Sequence, residues 1–222
     1  MKRTFLYILA ALLAASCKNS SVQNNKSEGD KPVITVTIEP LRYFTEAIAG
    51  DNFNVISMVP KGSSPETYDP TPQQLVDLAK SKAYFRIGYI GFEQTWMDKL
   101  TDNAPHLQFF DTSRGIDLIY DSSHAHHHHD ADEPHAHDSI QDDEHQHLLG
   151  VEPHVWSSAY NAQIIAGNIV NALCAIDKGN EEVYMERYKS LCNQIEHTDS
   201  LICHMLSAPN ADRAFMIYHP AL

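Results

Sequence analysis

The sequence predicts an α/β chain: a parallel-sheet N-terminal lobe, then a long linker helix, then a second lobe truncated after its first strand. Three observations carry this expectation. Short β-branched or apolar runs alternate with stretches of helical spacing, the pattern of a parallel sheet covered by crossover helices. One helical stretch, residues 180–206, is far longer than the others and at 1.5 Å per residue reaches about 40 Å, enough to bridge two lobes. The chain then begins one more strand and stops, and a strand with no sheet around it is not stable alone. At 222 residues, 43% hydrophobic and 20% charged, the chain can hold one large or two small cores.

The elements follow in order. Lys2 and Arg3 precede an apolar run from Phe5 to Ala15, too short to span a bilayer and of the length of a signal-peptide core. Ala14-Ala15-Ser16-Cys17 resembles a bacterial lipobox, with the usual Leu one place early at Leu13. Residues 1–17 are therefore expected to be a lipoprotein signal ending at Cys17, the lipidated residue, and 18–31 a polar, flexible tether. The N-terminal lobe, 32–176, opens with Val33 to Ile38, β-branched throughout, as a buried strand. Leu41, Phe44 and Ile48 repeat at helical spacing until Gly50 stops the helix. Phe53 to Val59 reads as a second strand and residues 61–70 as loop. Thr71 is an N-cap, with Pro72 at the first helical position and Gln74 completing a capping box. Ala83 to Ile87 is a third strand, Gly88 and Gly91 flank a turn, Phe92 to Leu100 is helical, and Leu107 to Phe110 is a fourth strand.

Residues 121–147 interrupt the alternation with nine His and eight Asp or Glu and no Lys or Arg. Order resumes at Val151 to Trp156. Ser157 or Ser158 caps a helix bearing Ile165, Ile169, Leu173 and Ile176. The long inter-lobe helix occupies 177–208, with a stripe of Tyr188, Leu191, Ile195, Ile202 and Met205. Residues 209–222 begin the C-terminal lobe, with a strand expected over Ala214 to Tyr218. Cys192 and Cys203 lie on the long helix about 16 Å apart at 1.5 Å per residue, too far to bridge. Together with Cys174 they are read as small buried hydrophobes.

Charge narrows the function classes. The formal net charge is −13 with 14 His; such a surface repels nucleic acid and suits a cationic ligand. No Gly-x-Gly-x-x-Gly or Walker motif is present, which sets nucleotides aside. Three segments hold a possible metal ligand beside a proline: Ser64 to Pro70 with Glu66, Glu152 to Trp156 with His154, and Tyr218 to Pro220 with His219. Proline fixes its own φ and restrains the residue before it, which lowers the entropic cost of holding a ligand. Imidazole and carboxylate suit Zn²⁺. On residue types alone, an exposed loop glutamate and two hydrogen-bonded histidines are the more ordinary reading of the trio.

These segments resemble the zinc- and manganese-specific solute-binding proteins of ABC transporters. The similarity runs from Val33 to Leu222 and includes Ile48-Ala49-Gly50-Asp51 and the Gly91-Phe92-Glu93 turn. It implies two α/β lobes with metal held between them, ligands at Glu66, His154 and His219, and a fourth from further along the family's chain or from water. It implies a monomer in the periplasm, held to the membrane by its lipid anchor. It also implies an ABC permease and ATPase as partners, and no enzymatic activity. Glu66 departs from the family, which has His in this loop; a carboxylate is harder than imidazole and moves preference toward Mn²⁺ or Fe²⁺. The inserted loop favours Zn²⁺. Its histidines, His124, His126, His127, His128, His129, His135, His137, His145 and His147, would form auxiliary low-affinity sites among acidic neighbours. Zn²⁺ is thus the expected cargo, with Mn²⁺ possible. A manganese- or iron-selective protein of the same family is the alternative. A zinc-dependent hydrolase is a poorer fit, because no His-Glu-x-x-His or similar motif supplies a general base beside the metal.

Overall fold

The computed structural model describes residues 31–120, 150–212, 214 and 216. The described residues from Pro32 onward form one compact unit. Its sheet has four parallel strands in the order β2-β1-β3-β4: β1 (Val33–Val36), β2 (Asn54–Ser57), β3 (Ala83–Arg86) and β4 (Gln108–Asp111). Ile34 pairs with Val55 on one side and Ala83 on the other. Ile34, Thr35, Val36 and Thr37 are all buried. A strand covered on both faces explains why its sequence is a continuous β-branched run and does not alternate with polar residues. The strands are shorter than expected, but the ladder bonds run on. Thr37 N–H donates to Phe85 O (3.1 Å) and Val59 N–H to Thr37 O (2.9 Å).

The helices are α1 (Glu39–Ala49), α2 (Pro72–Leu78), α3 (Gly91–Asn103), α4 (Ala159–Ile176) and α5 (Glu181–Leu206). Gly50, with φ of 57°, ends α1. The Thr71–Gln74 capping box starts α2 as read from the sequence, and Ser158 caps α4. Helices α1, α4 and α5 pack on one another. α4 is apolar and long enough to cross a membrane by composition alone, yet Ile165, Ala166, Ile169 and Leu173 sit fully buried in the core.

Two readings need correction. The cysteines are not buried: Cys203 is exposed, and Cys174 and Cys192 are only half-buried. The long helix does not bury its whole stripe either. Leu191 is buried and Tyr188 and Ile195 are partly so, but Ile202 and Met205 are 49% and 69% exposed. Of the strand expected over 214–218, only residues 214 and 216 are described, and neither lies in regular structure.

Candidate metal centre

In a parallel sheet of order β2-β1-β3-β4, the chain leaves β1 toward one side and returns on the other. The crevice beyond the carboxyl ends of β1 and β3 is the switch point where such folds bind ligands. Glu93, in the first turn of α3, fills it. The residue is 1% exposed. Its Oε1 accepts Thr37 Oγ1–H, at the end of β1, and Ile87 N–H (2.9 Å), while its Oε2 accepts Gly88 N–H. Burial pushes the Glu93 carboxyl above the usual glutamate range, against the pull of those three hydrogen bonds and of the nearby Arg86 charge. One carboxylate thus ties together the ends of two strands and the start of a helix.

The Glu66 loop is seated on that helix start. Phe92 N–H donates to Pro65 O (2.9 Å), and Gly91 N–H donates to Glu66 Oε2 (3.0 Å). These are orphan donors of a helix N-terminus, where a carboxylate is also favoured by the helix dipole. The approach requires glycine: a Cβ on Gly91 would stand 2.6 Å from Glu66 Oε2 and 2.8 Å from the Glu66 carbonyl oxygen. Further along, Tyr68 Oη–H donates to Gln74 Oε1 (2.7 Å) and Trp96 Nε1–H to Asp69 Oδ1 (3.1 Å). Glu66 itself is exposed. Its loop is held at four points, so hydrogen bonds as well as Pro65 and Pro70 restrain it.

His154 lies just before a short 3₁₀ turn, Val155–Ser157. Its side chain is 11% exposed and meets the Trp156 ring edge-on, centroids 5.2 Å apart. Glu152 Oε1 accepts both His154 N–H (3.1 Å) and the imidazole Nδ1. The segment is tied to the rest of the lobe by an antiparallel bridge between Tyr120 and Val151 and by Glu152 N–H donating to Ile119 O (2.8 Å).

Pro65 and Trp156, neighbours of Glu66 and His154, line one groove with residues 38–40 and 59–63 beyond the ends of β1 and β2. The two candidate segments therefore border the same rim of the sheet. Among the described residues, no three His, Cys, Asp or Glu side chains gather as a metal site. The third expected ligand, His219, and the lipidation residue, Cys17, lie outside the described residues. So do all nine auxiliary histidines of the insert: His124, His126, His127, His128, His129, His135, His137, His145 and His147. The expected trio is thus placed only as far as Glu66 and His154, and the auxiliary sites rest on sequence alone. Sequence reading missed Glu152 as a partner of His154, although the Glu-Pro-His spelling placed it two residues away. It quoted Glu93 only as part of a turn.

A family model described as ZnuA, zinc-uptake complex component A, periplasmic, matches residues 34–222. The chain belongs to this family. Among its ZnuA-type relatives, the high-affinity zinc uptake system protein ZnuA of Bacillus subtilis is 28% identical over 97% of this chain and 65% of its own. The iron ABC transporter substrate-binding lipoprotein MtsA of Streptococcus pyogenes is 30% identical over 86% of this chain and 56% of its own. The manganese ABC transporter substrate-binding lipoprotein PsaA of Streptococcus anginosus is 28% identical over 88% and 56%. A crystal structure of a ZnuA deletion mutant with zinc bound superposes with a TM-score of 0.70 at 29% identity, covering 86% of this chain and 64% of that one. The chain thus spans between 56% and 65% of the length of these relatives.

Proposed function

We propose that this chain belongs to an extracytoplasmic, lipid-anchored solute-binding component of an ABC importer. It captures Zn²⁺ with Glu66, His154 and His219 and delivers it to a permease driven by an ATPase. The observation that supports this reading is that Pro65 and Trp156, from the segments that hold Glu66 and His154, line one groove beyond the ends of β1 and β2 in a chain of the ZnuA family. A hydrogen-bonded loop and a packed imidazole are pre-ordered before metal arrives, which lowers the cost of binding. The role is capture and release, so the site needs no general base and no reaction step.

The manganese- or iron-selective reading has its own support. Glu66 stands where the resemblance places histidine, and an added carboxylate favours harder cations. The relatives named for iron and manganese are as similar to this chain as the one named for zinc. The histidine-rich insert tips the choice to zinc, because imidazole is a better ligand for Zn²⁺ than for Mn²⁺. The test is calorimetry on the intact protein and its His154→Ala variant with Zn²⁺ and with Mn²⁺. Loss of the tight zinc site in the variant is expected, with weaker manganese binding in the parent. Unchanged tight binding in His154→Ala would remove His154 from the ligand set.

A further inference from the structure

We infer that Glu152 is the positioning residue for His154, fixing which imidazole nitrogen is presented to the metal. The inference rests on the proposed role of His154 as a ligand. A carboxylate can only accept hydrogen bonds, so the contact between Glu152 Oε1 and His154 Nδ1 makes Nδ1 the protonated nitrogen. In a neutral ring the lone pair then belongs to Nε2, the nitrogen that binds the cation. The same Oε1 accepts the His154 backbone N–H (3.1 Å). The carboxylate thus holds both the ring and the backbone of the residue it orients. Pro153 lies between them and restrains Glu152 to extended backbone.

Glu152 is itself anchored. Its N–H donates to Ile119 O (2.8 Å), beside the Tyr120–Val151 bridge. The clamp therefore refers His154 to the strand-like pairing at the root of residues 121–149. The Trp156 ring packs against the imidazole edge-on, with centroids 5.2 Å apart. Orientation of a metal-binding histidine through its second nitrogen is a general device, and removing the outer partner commonly lowers metal affinity 10–100-fold.

The test separates tautomer from affinity. The metal-free intact protein, labelled with ¹⁵N-histidine, is studied by two-bond proton–nitrogen correlation at about pH 8, above the ordinary histidine range. The His154 signals are assigned by their loss in His154→Asn. Wild type is expected to show a pyrrole-type Nδ1 and a pyridine-type Nε2. Glu152→Ala is expected to shift His154 toward the Nε2–H form and to weaken zinc binding about 10–100-fold. Glu152→Gln keeps an acceptor oxygen and is expected to restore the Nδ1–H form and part of the affinity. A wild-type His154 protonated at Nε2 overturns the inference, and that spectrum needs no variant to fold. So does a Glu152→Ala protein that loses affinity while keeping the Nδ1–H form, since the role would then be structural only. Failure of the ligand reading looks different: His154→Asn would bind zinc as tightly as wild type, whatever the tautomer.

Discussion

Glu93 illustrates how one side chain can be placed by the whole fold while its sequence position looks ordinary. An acidic residue in the first turn of a helix is favoured by the helix dipole and is normally solvated. Here the turn lies over the ends of β1 and β3, and the carboxylate is buried with three donors on it. Because the folded pKa is raised, the native state holds this proton more tightly than the unfolded chain does. The stability Glu93 contributes is therefore full below the ordinary glutamate value, and is lost as pH rises through the raised folded value. Glu93→Gln removes the titration but sets an amide N–H against a backbone N–H, at a cost of about 1–3 kcal/mol. The advantage of wild type over Glu93→Gln, measured by urea denaturation, should be largest at acidic pH and shrink as pH rises. A difference that grows with pH would reverse the sign argued here. None of this was legible in the sequence, because Glu93 and Thr37 lie on separate elements and meet only once the strand order is fixed.

Elements were read more reliably than their neighbours. Local chemistry announced them: Thr71-Pro72 and Gln74 for the start of α2, Ser158 for α4, Gly50 for the end of α1. The seating of Glu66 on the start of α3 was not announced, since its donor, Gly91, is 25 residues away. The long helix shows the same divide. Its length was evident, but its burial is confined to the residues before Glu196. Tyr184 is fully buried, its Oη–H donating to Asp177 Oδ2 (2.6 Å) and its oxygen accepting from Asn52 Nδ2 (3.0 Å). Burial and the Asp177 contact push its phenol up to about 12. One turn on, Arg187 Nη1 donates to Ala49 O (2.8 Å) at the end of α1. From Glu196 to Ser207 every residue is exposed. Opening free energies follow buried contacts, so amide exchange in this 222-residue chain should be slow over residues 184–191 and much faster beyond residue 199. Equal protection along the whole of α5 would mean that something covers its distal face.

At the scale of the molecule, the acidic, histidine-rich insert and the sheet are separable in sequence, and the structure gives that separation a physical basis. Tyr120 and Val151 are paired in an antiparallel bridge, with Cα atoms of such a pair about 4.5–5.5 Å apart. Deleting residues 121–147 leaves Leu148 to Gly150 between the paired positions, the length of a common hairpin loop. Shortening a loop also lowers its closure entropy, though only weakly. The deletion should therefore fold as well as wild type and leave the Glu152–His154 clamp in place. What should change is capacity. On the proposed reading, the nine imidazoles among eight carboxylates would act as several weak zinc sites and raise the local metal concentration. Those sites should fade below about pH 6, as histidines with a reference pKa near 6.5 take up protons and cease to ligate. Zinc titration followed by calorimetry should show several weak equivalents in the intact protein at neutral pH and none in the deletion, with the tight equivalent unchanged in both. The difference in uptake should be greatest when zinc is scarce. Equal stoichiometry with and without residues 121–147 would refute the auxiliary role. A tight site weakened by the deletion would instead make the insert part of the primary centre, and the bridge between Tyr120 and Val151 would then be insufficient to hold His154 by itself.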